Sequence, residues 1–333
     1  MTYRGIVVMF ALSVFLTATN LTAGAIASNN AHSHGILARE IIKVVNQDGM
    51  PVANARIFGA SQTGDTYHDY IAFSGITDTN GVYAIEVKCT YGIRCQIVKE
   101  GFYDSEFLLQ DYAYTHTVDA GKWMPFGSET TIVLKKVNNP VATGTLYVTQ
   151  DIPTYGEWLG YDLEVADWLP PWGKGKVSDA MIRFSAREVG MFDFGYKMEL
   201  SFENSPFAGA IRQQKDLFSV YSCAYAATTN DVYESTMSFE VDRTGAKRRI
   251  WNKLENNEYL VFRTRTTVDK RGQLVSAHYG RIDGEWKFHE LHGMWIKGVF
   301  FNKEANDLNL EDKFSYEEQK RREQQREESR SAK

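Results

Sequence analysis

The stretch "ITDTNGVYAIEV", residues 76–87, places a tight turn between two apolar runs. Asp78 and Asn80 have short side chains that can bond their own backbone, and Gly81 accepts the positive φ that such a turn needs. From Val82 the chain returns to alternating apolar and polar residues, which is the period of a β-strand. The stretch therefore predicts a strand entered directly from a tight turn.

A calcium loop is the alternative interpretation of the same residues. An EF-hand-type loop needs acidic ligands at alternating positions and a bidentate Glu further along the loop. Val82 to Ile85 begin a strand where those later ligands would stand. We therefore interpret Asp78 to Gly81 as a turn, and we expect the chain to carry no metal site and no cofactor.

The rest of residues 36–137 repeats this arrangement of short alternating runs between turns. Asp48-Gly49 separates two apolar runs, and Pro51 stands where the second run begins. "YIAFSGI", "CQIVKE" and "TTIVLKKV" follow with similar spacing. Strand spacing of this kind predicts a β-sandwich.

These segments also carry a family resemblance. The order "VVNQDGMPVANARIFG", "GITDTNGVYAIEV", "CQIVKEGFYDSEF" and "TTIVLKKV" resembles the carboxypeptidase regulatory-like domain, a transthyretin-like, immunoglobulin-like β-sandwich. The resemblance implies that Thr77 to Gly81 form the turn between two core strands. It implies no peptidase activity, because the sequence has no H-x-x-E pair to supply the zinc motif of the metallocarboxypeptidases.

A break at Asn138-Asn139-Pro140 predicts the end of this sandwich. We predict four parts: a signal peptide over 1–27, the sandwich over 36–137, a larger antiparallel β domain over 143–313 and a charged tail over 314–333. The closing segment "FFNKEANDLNLEDK" resembles the end of a domain in uncharacterised exported bacterial proteins. The tail is rich in i,i+4 charge pairs, which leaves a solvated helix or a disordered tail open. The predicted fold class is all-β with a short charged C-terminal helix or tail.

The first 27 residues have the pattern of a secretory signal peptide. Arg4 precedes an uncharged apolar run, and Ala25-Ile26-Ala27 supplies an A-x-A exit, so we expect cleavage near Ala27. An uncleaved N-terminal anchor is the alternative. Cleavage predicts a secreted or periplasmic protein, and no later stretch is apolar enough to span a membrane. It would also move the formal charge from −5 to −6, which gives no electrostatic case for binding nucleic acid.

Cys89 and Cys95 flank the short segment "TYGIR" between two apolar runs. In an oxidising compartment they could form a disulfide across a hairpin, and two buried thiols are the alternative. Cys223 would then be an odd cysteine.

The most unusual stretch is "YGEWLGYDLEVADWLPPWGKGKVSDA", residues 155–180. It combines aromatic and acidic side chains, which together can stack on sugar rings and bond their hydroxyls. The candidate ligand contacts are Trp158, Trp168, Trp172, Tyr161, Asp162 and Asp167. The alternative is that the tryptophans belong to the core of the domain.

The sequence supports two classes of function. The first is a non-catalytic binding or structural module, with a glycan or a surface protein as its partner. The second is a carbohydrate-active enzyme that uses two carboxylates within residues 157–179, such as Asp162 and Glu164, across a cleft. The arrangement of these acids should separate the two classes, so no catalytic residue is assigned from the sequence.

Overall fold

The structure, a computed structural model, describes residues 35–64, 69–109, 112–141, 146–190, 193–216, 218–251, 254–284, 286–288 and 293–331. The predicted signal peptide, residues 1–27, and its cleavage near Ala27 lie outside the described residues. The chain divides into two compact units, with the boundary between Lys136 and Val137. Among the described residues, no helix is long and apolar enough to cross a membrane.

The first unit is built from short strands and one short helix. Its elements are β1 (Ile36–Val45), β2 (Arg56–Gln62), β3 (Tyr70–Ile76), β4 (Val82–Cys89), β5 (Ile93–Val98), β6 (Ser105–Leu109), α1 (Tyr112–Thr115), β7 (Thr117–Asp119), β8 (Lys122–Met124) and β9 (Ser128–Val133). One sheet has the order β4-β1-β8-β7, with β9 also paired to β1, and the other has the order β3-β2-β5-β6.

The core of the first unit contains side chains from both of these sheets. Ile42 and Val44 of β1 are fully buried in one cluster with Ile57 of β2 and Ile97 of β5. Buried and less buried residues alternate along β1, as expected when one face of a strand is covered. The first unit is therefore a two-layer β-sandwich.

The turn at residues 78–81 is present as predicted. Asp78 Oδ1 accepts hydrogen bonds from the backbone N–H groups of Asn80 and Val82, at 2.9 and 2.8 Å. Gly81 has a φ of +73°. A side chain there would also strike the Val44 carbonyl, because a Cβ on Gly81 would lie 2.3 Å from that oxygen. Asp78 thus has a structural role in fixing the start of β4.

The predicted hairpin disulfide is wrong. Cys89 ends β4, which pairs with β1, whereas Cys95 lies in β5, which pairs with β2 and β6. The segment between them crosses from one sheet to the other, so the cysteines do not face each other across a hairpin. Both are free, buried thiols, as is Cys223.

The second unit is also built from strands. Its elements are β10 (Leu146–Asp151), β11 (Trp158–Asp162), β12 (Asp167–Trp168), β13 (Ala180–Gly190), β14 (Asp193–Ser201), β15 (Gly209–Gln214), β16 (Thr236–Thr244), β17 (Lys247–Trp251), β18 (Glu258–Val268), β19 (Leu274–Ile282), β20 (Trp286–Phe288), β21 (Gly293–Phe301) and α2 (Lys313–Ser331).

Two antiparallel sheets enclose the core of the second unit. One has the order β12-β11-β13-β14-β16-β17, and the other has the order β10-β21-β19-β18-β15, with β20 paired to β21. Phe184 and Met198 of the first sheet share one buried cluster with Phe262 and Ile296 of the second. The all-β fold class predicted from the sequence is confirmed.

The charged C-terminal segment forms the helix α2. Asp312 caps its start, because Oδ1 of this residue accepts a 2.7 Å hydrogen bond from the backbone N–H of Ser315. Glu318 and Arg322 form an i,i+4 ion pair at 3.1 Å. The helix is not solvated on all sides, since Gln319 is buried.

Candidate functional site

The unusual stretch, residues 155–180, forms one edge of the β12-β11-β13-β14-β16-β17 sheet. β11 and β12 make a tight hairpin in which Tyr161 pairs with Trp168 and Asp162 pairs with Asp167. Ala166, just before β12, has a φ of +51°. β11 also pairs with β13, so the hairpin is attached to the rest of the sheet.

Two of the predicted ligand contacts lie in the core instead. Tyr161 is fully buried and Trp168 is 3% exposed, and their rings meet edge to face with centroids 4.9 Å apart. Burial raises the pKa of Tyr161 well above its usual value. A buried ring cannot stack on a sugar, so the prediction that Tyr161 and Trp168 contact a ligand is corrected.

Trp158 and Trp172 remain exposed, at 40% and 54%. The Arg183 guanidinium lies 4.6 Å from the centroid of the Trp158 ring, and Arg183 is in turn held by Glu199 at 2.9 Å. This contact orients Trp158 without burying it.

The loop that carries Trp172 begins on the same face of β11 as Trp158. Trp158 and Gly160 are two residues apart in one strand and so point the same way. Leu169 lies over Gly160, because a Cβ on that glycine would come within 3.1 Å of a Leu169 methyl group. The backbone N–H of Trp172 then donates to the Leu169 carbonyl at 3.1 Å. The structure therefore places Trp158 and the start of the loop that carries Trp172 on the same face of β11.

The acids of this segment are held by hydrogen bonds. Asp162 Oδ2 accepts from the backbone N–H groups of Lys176 and Val177, at 2.8 and 3.1 Å. Its Oδ1 accepts from the backbone N–H of Glu164 at 3.0 Å and from Arg265 Nη2 at 3.1 Å. Asp162 is buried, and its role as a ligand contact is corrected to that of a structural acceptor.

Asp167 has a similar structural role. Its Oδ1 accepts from the backbone N–H of Trp168 at 2.8 Å and from Gln150 Nε2 at 2.9 Å. Its Oδ2 accepts from the backbone N–H of Lys174 at 2.9 Å. A Cβ on Gly173 would lie 2.5 Å from Oδ1, so the loop approaches this carboxylate closely because residue 173 is a glycine.

Three carboxylates converge on Arg265, and we call Arg265, Asp162, Glu164 and Asp179 the Arg265 cluster. Arg265 Nη1 lies 2.7 Å from Glu164 Oε2, and Nε lies 2.9 Å from Asp179 Oδ1. A β-bulge in β18 lies next to Arg265, whose φ is +49°. Bulges re-aim side chains, which fits the position of this guanidinium beside the acids.

The electrostatics of the Arg265 cluster differ between its members. Hydrogen bonds from Arg265 hold the pKa of Glu164 below its ordinary value. Lys303, whose Nζ lies 3.2 Å from Glu164 Oε1, lowers this pKa as well. Burial raises the pKa of Asp179, and the hydrogen bonds from Arg265 oppose that rise. A buried acid with a raised pKa is one feature of a general acid. Asp179, however, is fully buried and bonded to Arg265, Thr264 and the backbone of Leu163.

A second surface feature was missed by the sequence analysis. The outer face of the β3-β2-β5-β6 sheet carries a groove of about 860 Å³, which we call the aromatic groove. Its lining combines aromatic, amide and cationic side chains with small residues: Phe58, Gly59, Ala60, Gln62, Tyr70, Tyr91, Gly92, Arg94, Cys95, Gln96 and Leu108. The sequence predicts strands that contain most of these residues, but it does not show which strands are neighbours in the sheet.

Comparisons with known proteins give only distant structural similarity. No family model matches the chain, and no curated protein matches its sequence. The chain is similar to 3-chlorocatechol 1,2-dioxygenase from Rhodococcus opacus 1CP, with 16% identity and a TM-score of 0.25 over 31% of this chain and 61% of that chain. It spans 54% to 61% of the length of the dioxygenases it matches.

Two further solved structures are similar over more of the chain. A DUF3823 family protein from Parabacteroides merdae ATCC 43184 has 11% identity and a TM-score of 0.21, over 80% of this chain and all of that chain (100%). A proposed carbohydrate-binding protein from Bacteroides uniformis ATCC 8492 has 6% identity and a TM-score of 0.18, over 79% of this chain and 97% of that chain. Similarities at these levels say nothing about the function of this chain.

Proposed function

We propose that this chain is an exported, non-catalytic binding module whose ligand is a glycan, contacted by Trp158 and Trp172. A glycan fits because flat aromatic rings stack on the apolar faces of sugars while nearby polar groups bond the hydroxyls. A surface protein is the second candidate ligand. The signal-peptide pattern of residues 1–27 supports export to the periplasm or the outside of the cell.

The observation that carries the proposal is that the acids and the tryptophans of residues 157–179 have different roles. The acids Asp162, Asp167 and Asp179 are engaged by backbone N–H groups or by Arg265, whereas two tryptophans of the same segment are exposed. A binding surface needs exposed rings and a stable frame. The segment has both.

The competing proposal is a carbohydrate-active enzyme. Glycoside hydrolysis needs two carboxyl groups that face the scissile bond across a cleft. Three acids of this segment, Asp162, Glu164 and Asp179, do converge, but on the guanidinium of Arg265. An acid that accepts hydrogen bonds from an arginine and from the backbone is poorly placed to donate a proton to a leaving group. This arrangement favours the binding module.

The domain assignment remains part of the proposal. We propose a carboxypeptidase regulatory-like sandwich over 36–137, a larger antiparallel β domain over 143–313 and a charged segment over 314–333. The proposed glycan contacts Trp158 and Trp172 would lie in the larger domain.

Affinity electrophoresis through gels that contain different polysaccharides tests the proposed contacts. Trp158→Ala and Trp172→Ala should each weaken retention without a large change in melting temperature, because both rings are exposed. Phe218→Ala is the matched control, since it removes an exposed ring elsewhere in the second unit. Unchanged retention of both tryptophan variants would reject these contacts. Failure of the wild type to be retained on any polysaccharide would reject the glycan and leave the protein ligand.

A further inference from the structure

We propose that the aromatic groove of the first unit is a separate binding site for an acidic oligosaccharide built from uronate sugars. It lies in a different unit from Trp158 and Trp172, and its test uses different variants. The two proposals can therefore fail independently.

The shape of the aromatic groove follows from the register of its strands. Ala60 of β2 lies between Ala72 of β3 and Arg94 of β5, so a small residue forms the floor next to a long one. Two residues before Ala60 in β2, Phe58 pairs with Gln96 of β5. Two residues after Ala60, Gln62 pairs with Tyr70 of β3. Small side chains at the centre of β2 and large ones at both ends make a depression on this face of the sheet. Its volume of about 860 Å³ is within the usual range of small-ligand sites.

Aromatic rings are placed where a sugar could stack. Tyr70 is 48% exposed at the rim, and Phe58 and Tyr91 are partly buried within the lining. The Arg56 guanidinium lies 5.2 Å from the centroid of the Phe58 ring, which holds that ring from outside the groove. Rings that are fixed and partly open to solvent lose little conformational freedom on binding.

The charge of the lining selects an acidic ligand. Among the described residues that line the groove, Arg94 is the only one with a charged side chain. Its ion pair with Glu106 is long, at 3.8 Å, and both side chains are exposed, so the pair is weak. A uronate carboxylate could accept two parallel hydrogen bonds from the planar guanidinium, which is the geometry that arginine favours. Gln62 and Gln96 supply amide groups for the sugar hydroxyls.

The aromatic groove offers binding groups but no suitable nucleophile. Cys95 contributes to its lining, yet this residue is fully buried, and burial raises the pKa of its thiol to about 12. A thiol with such a pKa is protonated at neutral pH and is a poor nucleophile. The chemistry on the surface is therefore recognition.

Isothermal titration calorimetry with tetragalacturonate tests the proposal, with a neutral galactose tetramer as the matched ligand. Arg94→Gln should weaken tetragalacturonate binding by about tenfold, because a charge-assisted pair is lost. It should leave binding of the neutral tetramer unchanged. Tyr70→Ala should weaken the binding of both tetramers, since stacking on the ring does not depend on the charge of the sugar.

Two controls separate this site from general charge attraction. Lys43→Gln removes a cation from β1, which belongs to the other sheet of the first unit, and it should have little effect. Glu106→Gln removes the competing carboxylate, and it should maintain or strengthen binding of tetragalacturonate. Equal losses in Arg94→Gln and Lys43→Gln would overturn the proposal. So would the absence of binding to the wild type at millimolar concentrations of tetragalacturonate, whatever the Trp158 and Trp172 variants do.

Discussion

Arg265 and Asp179 form a two-point contact in which Nε donates to Oδ1 at 2.9 Å and Nη2 donates to Oδ2 at 3.0 Å. The two residues are 86 positions apart in the sequence, and the contact joins β18 to the end of the tryptophan-rich stretch. Parallel hydrogen bonds between a guanidinium and a carboxylate fix both groups in one geometry. The exposed tryptophans are therefore presented by a segment that is attached to the rest of the unit through Arg265.

The Arg265 cluster should be essential to the stability of the second unit. Arg265→Met would leave Asp162 and Asp179 buried without their cation, and we expect a loss of about 3–5 kcal/mol in the free energy of unfolding. Arg265→Lys should also be destabilised, because a lysine keeps the charge but cannot form the two-point contact with Asp179. Urea unfolding gives the measurement. Lys303→Met, which removes only the exposed partner of Glu164, is the control and should cost less than about 1 kcal/mol.

Glu164 should contribute to acid sensitivity. Its pKa in the folded state lies below the ordinary value of 4.5, so its contribution to stability is fully present above that pH. The contribution is lost as the pH falls through the lower, folded-state pKa. In Glu164→Gln the free energy of unfolding should therefore fall less steeply below about pH 4.5 than in the wild type. Parallel curves for the two proteins would contradict this prediction.

Tyr161 and Tyr112 should respond in opposite ways to loss of the hydroxyl group. The Tyr161 hydroxyl is buried without a hydrogen-bond partner among the described residues, so Tyr161→Phe should leave stability unchanged or raise it. The Tyr112 hydroxyl donates to Glu40 Oε1 at 2.5 Å, and Tyr112→Phe should cost about 1–3 kcal/mol because it leaves that buried carboxylate with one acceptor unbonded. Thermal melts of both variants test the pair, each relative to the wild type. Equal destabilisation by the two changes would contradict the difference.

The three cysteines should be unreactive in the folded protein and reactive after unfolding. Cys89, Cys95 and Cys223 are buried, and burial raises the pKa of each thiol to about 12. Alkylation at neutral pH should modify none of them in the native protein, because thiolates are the reactive species. Mass measurement after alkylation in denaturant without reductant should show three modified thiols. A single modified thiol would instead indicate that two of them are joined.

Trp168 and Gly175 should both be sensitive to substitution, for different reasons. Trp168→Ala removes a core ring and should cost about 3–5 kcal/mol. Gly175→Ala would place a Cβ 2.8 Å from the Asp167 carbonyl oxygen and 2.9 Å from the Asp162 Cβ, which requires the loop to shift. Gly190→Ala, where a Cβ meets nothing within 4 Å, is the matched control. Unfolding in urea should rank Gly190→Ala as the mildest of the three.

Local features of the fold were predictable from the sequence. The turn at residues 78–81 depends on the side chain of Asp78 and on the freedom of Gly81, and both act on neighbouring backbone atoms. The all-β class follows from the period of the alternating runs. The i,i+4 charge pairs of the C-terminal segment are compatible with the helix α2, but they also left a disordered tail open. Alternation could also have separated Trp158 from Tyr161, since residues three apart in a strand point to opposite faces.

The tertiary structure alone decided which of these residues are available to a ligand. Alternation shows which residues share a face of a strand but not whether another sheet covers that face, so it could not tell that Trp168 is in the core. The partner of Asp179 lies in a distant strand at a bulge, where the regular period fails. Cys89 and Cys95 lie close in sequence but in different sheets, because the segment between them crosses from one layer to the other. The aromatic groove depends on the register of four strands from separate parts of the chain, and register is set by the packing of the whole sheet rather than by any one strand.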